Sequence, residues 1–218
     1  MKNKVAIFMP IRMNSKRISK KVVVPILGRP MFCHSLEKLD SLGYPVYLFT
    51  NCEDELKEVI DFKTKNVIFL KRPSRLDSCE IKGIDIYHEF SKIVDSEIYM
   101  LAHCTSPFVK TETYLKVIGA VLNESYDSSF TVEAKKTFAW YEGKKLNFQL
   151  PRPKTQELEP VLLETSAAYC YKKEVLKDNS RSSVNNKLIL TTNLESVDID
   201  DPGDLEIFDF CWGTLDVE

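Results

Sequence analysis

Short apolar runs alternate along the chain with longer amphipathic stretches, and this alternation predicts most of its elements. Val5–Met9 is five apolar residues stopped by Pro10, which is strand length rather than helix length. Met31–Leu42 repeats apolar residues near i, i+4, i+7 and stops at Gly43, as an amphipathic helix does. Pro45–Thr50 reads as a second strand, followed by an acidic helix from Asn51 or Glu53 to about Phe62. Val67–Leu70 reads as a third strand closed by Lys71-Arg72-Pro73, and Ile81–Val94 as a helix. Glu97–Ala102 is a fourth strand, Tyr114–Leu122 a helix, and Ser128–Glu133 strand-like. Strands alternating with helices at this spacing predict an α/β fold with a Rossmann-like, mostly parallel sheet covered by helices on both faces. Phe138–Tyr141, a Glu142-Gly143 turn and Leu146–Gln149 then read as a hairpin outside that rhythm.

The loop after the first strand changes the picture. Arg12, Lys16, Arg17, Lys20 and Lys21 fall within it, with Asn14 and Ser15 between them. Clustered like charges repel unless an anion sits among them. A loop leaving the carboxyl end of a central strand is where open α/β sheets bind ligands. Phosphate is the anion that Arg forks, Lys charges and loop N–H groups hold. A solvated basic loop balanced by acids elsewhere is the plainer alternative.

Composition limits the rest. With 218 residues, 44% hydrophobic and 28% charged, the chain is expected to form a single domain, 1–218, of ordinary globular type. A net charge of −2 argues against a nucleic-acid-coating protein. Six cysteines without a CxxC pair read as reduced thiols. No run approaches ~18 apolar residues and no signal core opens the chain, so a cytoplasmic protein without membrane partners is expected.

Two further stretches carry chemistry. His103-Cys104-Thr105-Ser106-Pro107 follows the fourth strand, and its paired hydroxyls before Pro can turn the chain or donate to a ligand. Adjacent His103 and Cys104 make a poor metal signature without further ligands nearby. Near the end stands Asp198-Ile199-Asp200-Asp201-Pro202. If 195–200 is a strand, Asp198 and Asp200 share a face, and Mg²⁺ suits such a pair together with phosphate oxygens. Asp200 or Asp201 could instead cap a helix beginning at Pro202. Both roles are compatible, with Asp201 capping and the alternate pair binding metal.

The ordered motif Pro10-x-Arg12-x-Asn14-Ser15-Lys16-Arg17-Ile18-x-x-Lys21, followed by Pro25-Ile26-Leu27-Gly28-Arg29-Pro30, resembles the CTP-binding signature of the acylneuraminate cytidylyltransferase family. Members make CMP-sialic acid, and relatives make CMP-Kdo, CMP-legionaminate and CMP-pseudaminate. Thr105-Ser106-Pro107, Gln156-x-Leu158-x-Pro160-Val161 and Asp198-Ile199-Asp200 match later blocks in order, so the resemblance spans nearly the whole chain. It implies CTP and an acidic sugar as substrates and Mg²⁺ on Asp198 and Asp200. Pro10, Arg12, Asn14, Ser15, Lys16, Arg17, Lys21, Arg72, Thr105 and Ser106 are then expected at the nucleotide. Arg12, Lys21, Asp198 and Asp200 are expected to carry catalysis. His103, Lys154, Gln156, Glu164 and Tyr169 are expected at the sugar. Segment 134–165 would be a dimerisation insert of a homodimer, with a surface flap on a monomer as the alternative. Ser19 and Val22 replace the family's Pro and Asn, and His103 replaces a sugar-contacting Gln. Thr155 stands where the family's carboxylate-binding Arg would be, leaving Lys154 or Arg152 as substitutes. These departures admit a cytidylyltransferase for a different, non-ulosonic acceptor, or a non-catalytic CTP-binding protein, as rivals. A Rossmann oxidoreductase is disfavoured by the missing GxGxxG.

Overall fold

A computed structural model describes residues 3–15, 17–78 and 80–206. Its frame is a seven-stranded sheet of β1 (Asn3–Pro10), β2 (Val46–Thr50), β3 (Val67–Lys71), β4 (Ser96–Ala102), β5 (Ser128–Lys135), β6 (Val161–Lys172) and β7 (Asn186–Leu190). The order across the sheet is β7-β5-β6-β4-β1-β2-β3. β1 lies parallel to β2 and β4, β2 parallel to β3, and β5 parallel to β7. β6 alone among these runs antiparallel, between β4 and β5.

The two-residue period of the strands sorts their side chains between two cores. Val5, Ile7 and Met9 of β1, with Ile98 and Met100 of β4, pack beneath α1 (Met31–Asp40), α2 (Glu53–Val59) and α4 (Thr111–Leu122). Ala6, Phe8, Tyr99 and Leu101 face α3 (Gly83–Ile93) and the 3₁₀ segment Lys173–Asp178 on the other side. Helices therefore cover both faces, as the alternation predicted. Phe90 of α3 stacks on Phe8 at 4.3 Å and meets Tyr47, Phe49 and Tyr99 edge-on, so Phe90→Ala would cost about 3–5 kcal/mol.

A third, smaller cluster explains why the basic loop has a fixed path. Ile18, Ile26 and Met31 are buried against Ile199 from the far end of the chain. Val22 is also buried, within the 3₁₀ turn Lys21–Val23. These apolar residues pin the loop at intervals, and of its cations Lys20 is exposed while Lys21 and Arg17 turn to Asp200. Leu27 and Gly28 both take positive φ, 51° and 77°, in the tight turn that joins Pro25–Ile26 to Arg29–Pro30.

Three expectations need correction. Residues 195–200 form no strand. Residues 193–196 turn and 197–200 run extended without a ladder, because this stretch passes over the carboxyl ends of the strands instead of alongside one. Ile199 donates its N–H to Thr105 at 2.8 Å and buries its side chain, so the alternation that sets Asp198 and Asp200 apart from Ile199 survives. The second arm of the hairpin is Lys144–Lys145, paired with Trp140–Tyr141, and lies nearer the turn than Leu146–Gln149. The antiparallel β6 was not foreseen as a strand. Its ladder shifts register between Glu164 and Tyr169, where Ser166 takes φ 58°.

The excursion beyond β5 is clasped by Asn147. Its amide donates to Thr137 and Glu159, and its carbonyl accepts the N–H of Ala139. No helix among the described residues is long and apolar enough to cross a membrane.

Candidate functional site

Above the carboxyl ends of β1 and β4 lies a cleft of about 360 Å³. Pro10, Arg12, Ser15, Arg17 and Lys21 form one wall, with Thr105 and Asp200 opposite. Lys21 Nζ donates to Asp200 Oδ1 at 2.7 Å, and Arg17 Nη2 to Asp200 Oδ2 at 2.8 Å. Burial alone would push the Asp200 carboxyl up, yet the Lys21 bond and charge, helped by Arg17, hold it below its ordinary value. Asp198 shifts the other way. Burial raises it, the Asp200 charge adds to that, and a hydrogen bond from Thr105 opposes without winning. Asp198 Oδ1 is buried with no hydrogen-bond partner. Cys104 also lines the cleft, but burial pushes its thiol up to about 12, so it is no thiolate nucleophile at neutral pH.

The carboxylate segment is positioned by Glu195. One carboxylate oxygen accepts from the Lys110 N–H and the Thr113 hydroxyl at the start of α4, and the other from the N–H and hydroxyl of Thr192. Burial opposes its ionisation, but these donors outweigh burial and hold the carboxyl below its usual range. Asp201 does cap the helix that begins at Pro202, since its Oδ1 accepts from Gly203 and Asp204. Asp204 returns the favour by accepting from the N–H groups of Asp200 and Asp201.

A second cleft of about 210 Å³ adjoins the first through Arg12. Asn14 lines it with Asn51, Cys52, Glu55 and Asp77. Beneath it Arg72 is 2% exposed, paired through Nη2 with Asp77, and its Nε is buried without a partner. Most expected nucleotide residues thus converge on two joined clefts. Ser106 does not line them: its hydroxyl is buried and unpartnered, and its carbonyl accepts from Ser35. Lys16 lies outside the described residues. Asn51 and Asp77 went unnoticed in the sequence, although a residue just past the second strand was a signal in itself.

The expected sugar residues divide. His103, Glu164 and Tyr169 come together, with the His103 and Tyr169 rings 6.5 Å apart and the Tyr169 hydroxyl donating to Glu164 at 2.7 Å. Burial first, then the charge of Arg181, pushes His103 down to about 4. Lys154 and Gln156 sit instead in and beside the exposed 3₁₀ turn Thr155–Glu157, where no hydrogen bond or ion pair joins their side chains to the clefts among the described residues. Arg152 is spent within the excursion, stacked 4.0 Å from the Phe138 ring. Sequence reasoning missed Arg181, which stands alone in a Ser- and Asn-rich loop with no periodicity to mark it.

A polar cleft at the carboxyl ends of central strands, lined by cations and the Asp200 carboxylate, stands where open α/β sheets bind their ligands. Residues 6–178 match the cytidylyltransferase family, and the chain belongs to that family of nucleotidyltransferases. Compared with curated proteins, the sequence finds no significant match. Among solved structures, the fold is similar to a CMP-2-keto-3-deoxy-manno-octonic acid synthetase complexed with CTP. That likeness has a TM-score of 0.62 at 18% identity and covers 97% of this chain and 100% of that one. The 4-diphosphocytidyl-2C-methyl-D-erythritol synthase of Anaerococcus prevotii has a TM-score of 0.68 at 12% identity, covering 97% and 99%. The bifunctional IspDF of Campylobacter jejuni has a TM-score of 0.64 at 12% identity, covering 93% of this chain and 53% of that one. The family match and the first of these structures agree with the resemblance to CMP-Kdo and CMP-sialate synthetases drawn from the sequence motifs.

Proposed function

We propose that this cytidylyltransferase transfers CMP from CTP to a hydroxyl of an acidic sugar, a nine-carbon ulosonic acid of the sialic, legionaminic or pseudaminic type. The sugar oxygen attacks the α-phosphorus, the bond to the β-phosphate oxygen breaks, the hydroxyl proton is lost, and pyrophosphate leaves. The observation that carries this reading is the joined pair of clefts, the larger lined by Arg12, Arg17 and Lys21, with Lys21 and Arg17 both bonded to Asp200.

Such a reaction depends on positioning and charge neutralisation more than on covalent help. Arg12 and Lys21 are the cations that would meet phosphate oxygens, and Ser15 with Arg17 would hold the outer phosphates. When CTP enters, Lys21 exchanges the Asp200 carboxylate for phosphate without leaving its place on the wall. The buried, unpartnered Oδ1 of Asp198 and the adjacent Asp200 fit a small divalent cation, so these two would hold Mg²⁺. Bound there, the ion would neutralise developing phosphate charge. Asn14, Asn51 and Asp77 on the smaller cleft would meet the base, with Arg72 buried behind Asp77 and holding it.

The excursion supports a homodimer. Trp140 is 55% exposed and Tyr141 66%, and Leu146 and Leu150 are exposed with them, apolar side chains that a second copy of the chain would cover.

The test is pyrophosphate release with CTP and Mg²⁺ against N-acetylneuraminate, legionaminate, pseudaminate, Kdo and neutral sugars. Release with one acid is expected. CTP binding without release across the whole panel would overturn the acceptor, and no CTP binding would overturn the nucleotide as well.

A further inference from the structure

One cation close to the clefts has no task in the account above. Arg181 lies in the loop between the 3₁₀ segment Lys173–Asp178 and β7. The chain enters this loop through Asn179, at φ 51°, whose side-chain carbonyl is hydrogen-bonded to the His88 ring at 3.0 Å. It leaves through Ser183, whose N–H donates to the Ser128 hydroxyl at 2.8 Å. Between these ties Ser180 Oγ accepts from the Ser182 N–H and donates to the Ser182 carbonyl. Arg181 is therefore presented from a loop fastened at both ends.

Its guanidinium lies 3.7 Å from the centre of the Tyr169 ring. Nη2 donates to the Tyr169 hydroxyl at 2.8 Å and Nη1 to the Tyr87 hydroxyl at 3.1 Å. The neighbouring Glu164 carboxylate is 3.8 Å away, too far for a hydrogen bond, and already accepts from Tyr169. A guanidinium has five N–H donors, so most of this fork is unused, and its charge is steadied by rings and neutral hydroxyls rather than by a bonded carboxylate. It borders a hollow of about 360 Å³ whose rim includes Ser180, Ser182 and Glu164.

His103 connects this hollow to the larger cleft: it directly precedes Cys104 and Thr105 of that cleft, and its ring lies 6.5 Å from the Tyr169 ring on which the Arg181 guanidinium rests. An acceptor lying over His103 would have its hydroxyl toward Lys21 and Asp200 and its far end toward Arg181. A carboxylate binds best to a planar fork, which Lys154 does not offer and Arg152 spends on Phe138.

We infer that Arg181 is the specificity-determining residue that takes the acceptor's carboxylate, held in place by Tyr169 and Tyr87, while Glu164 accepts a sugar hydroxyl beside it. This rests on the acidic-acceptor reading given above. The experiment measures kcat and KM of the full chain, with CTP and Mg²⁺, for N-acetylneuraminate, legionaminate, pseudaminate and Kdo, each paired with its methyl ester. Wild type is expected to prefer one acid over its ester by roughly 10²-fold in kcat/KM. Arg181→Met should raise the KM for that acid by a similar factor, bring the acid-to-ester ratio near one, and change the KM for CTP by less than about threefold. Arg181→Lys should fall between, because a point charge replaces a fork. Tyr87→Phe, which removes one of the two hydroxyls that hold the fork but keeps the guanidinium, should lower the acid-to-ester ratio by less than Arg181→Met does. If Arg181→Met is misfolded, the Lys variant decides by the same ratio. An undiminished acid-to-ester ratio in the Arg181 variants would overturn this role while leaving the acidic acceptor standing. A wild-type enzyme that uses acid and ester equally, or neither, would overturn the acidic acceptor and this role with it.

Discussion

In the larger cleft, cations are packed against a carboxylate: Lys21 and Arg17 both hold Asp200. Beside Tyr169, Arg181 is packed against rings and hydroxyls, with its nearby carboxylate beyond hydrogen-bonding reach. The first arrangement stores opposite charges that a triphosphate and a metal can take over one for one. The second leaves a cation whose one nearby carboxylate, Glu164 at 3.8 Å, is not hydrogen-bonded to it, so donors of its fork stay open to an acceptor bringing a single negative charge. The two walls therefore differ in how they recognise charge: by exchange on one side and by completion on the other.

The comparison breaks most visibly if the carboxylate pair has no metal to hold. Chelating divalent cations with EDTA is expected to stop pyrophosphate release, and restored Mg²⁺ to recover it; turnover that survives chelation would remove Asp198 and Asp200 from that role. Next in size is Lys21→Ala, expected to lose ~10²-fold or more in turnover with an unchanged circular dichroism spectrum. Wild-type turnover there would reduce the Lys21–Asp200 contact to a surface ion pair.

The excursion offers a different check. Placing Asp at Trp140 and Leu150 together should convert a dimer into monomers in sedimentation velocity at micromolar concentration, and a wild-type chain that already sediments as a monomer would end that proposal. The smallest effect concerns Glu195. Glu195→Gln turns one accepting oxygen into a donor facing donors, at a cost of about 1–3 kcal/mol in urea unfolding. Because the folded carboxyl sits below its unfolded value, its contribution is complete above the unfolded pKa of about 4.3. It is lost as pH falls through the lower folded value, so the gap between wild type and variant should narrow in acid. A gap that widened in acid would contradict the bonding described.

The central strands were legible because Val5–Met9, Pro45–Thr50 and Glu97–Ala102 are apolar on both faces, and the structure buries both. The cation-lined wall of the larger cleft was legible because its cations are sequence neighbours, and Ile18 and Val22 between them are buried. β6 was not, since Glu164, Thr165 and Ser166 interrupt its apolar pattern at the bulge that brings Glu164 beside Tyr169. The Asp198–Asp200 stretch looked like a strand because alternation alone does not say whether a neighbour supplies a ladder. Arg181 was invisible for a plainer reason: its partners Tyr87 and Tyr169 lie 94 and 12 residues away, and nothing local marks it.

The stretch bearing Asp198 and Asp200 is attached to the sheet through the Ile199–Thr105 bond, the buried Ile199 side chain and the Glu195 carboxylate, with no ladder behind it. Attachments of this kind open at lower free energy than a paired strand. Under rising denaturant the enzyme should therefore fall silent while its sheet is still intact, inactivation running ahead of unfolding.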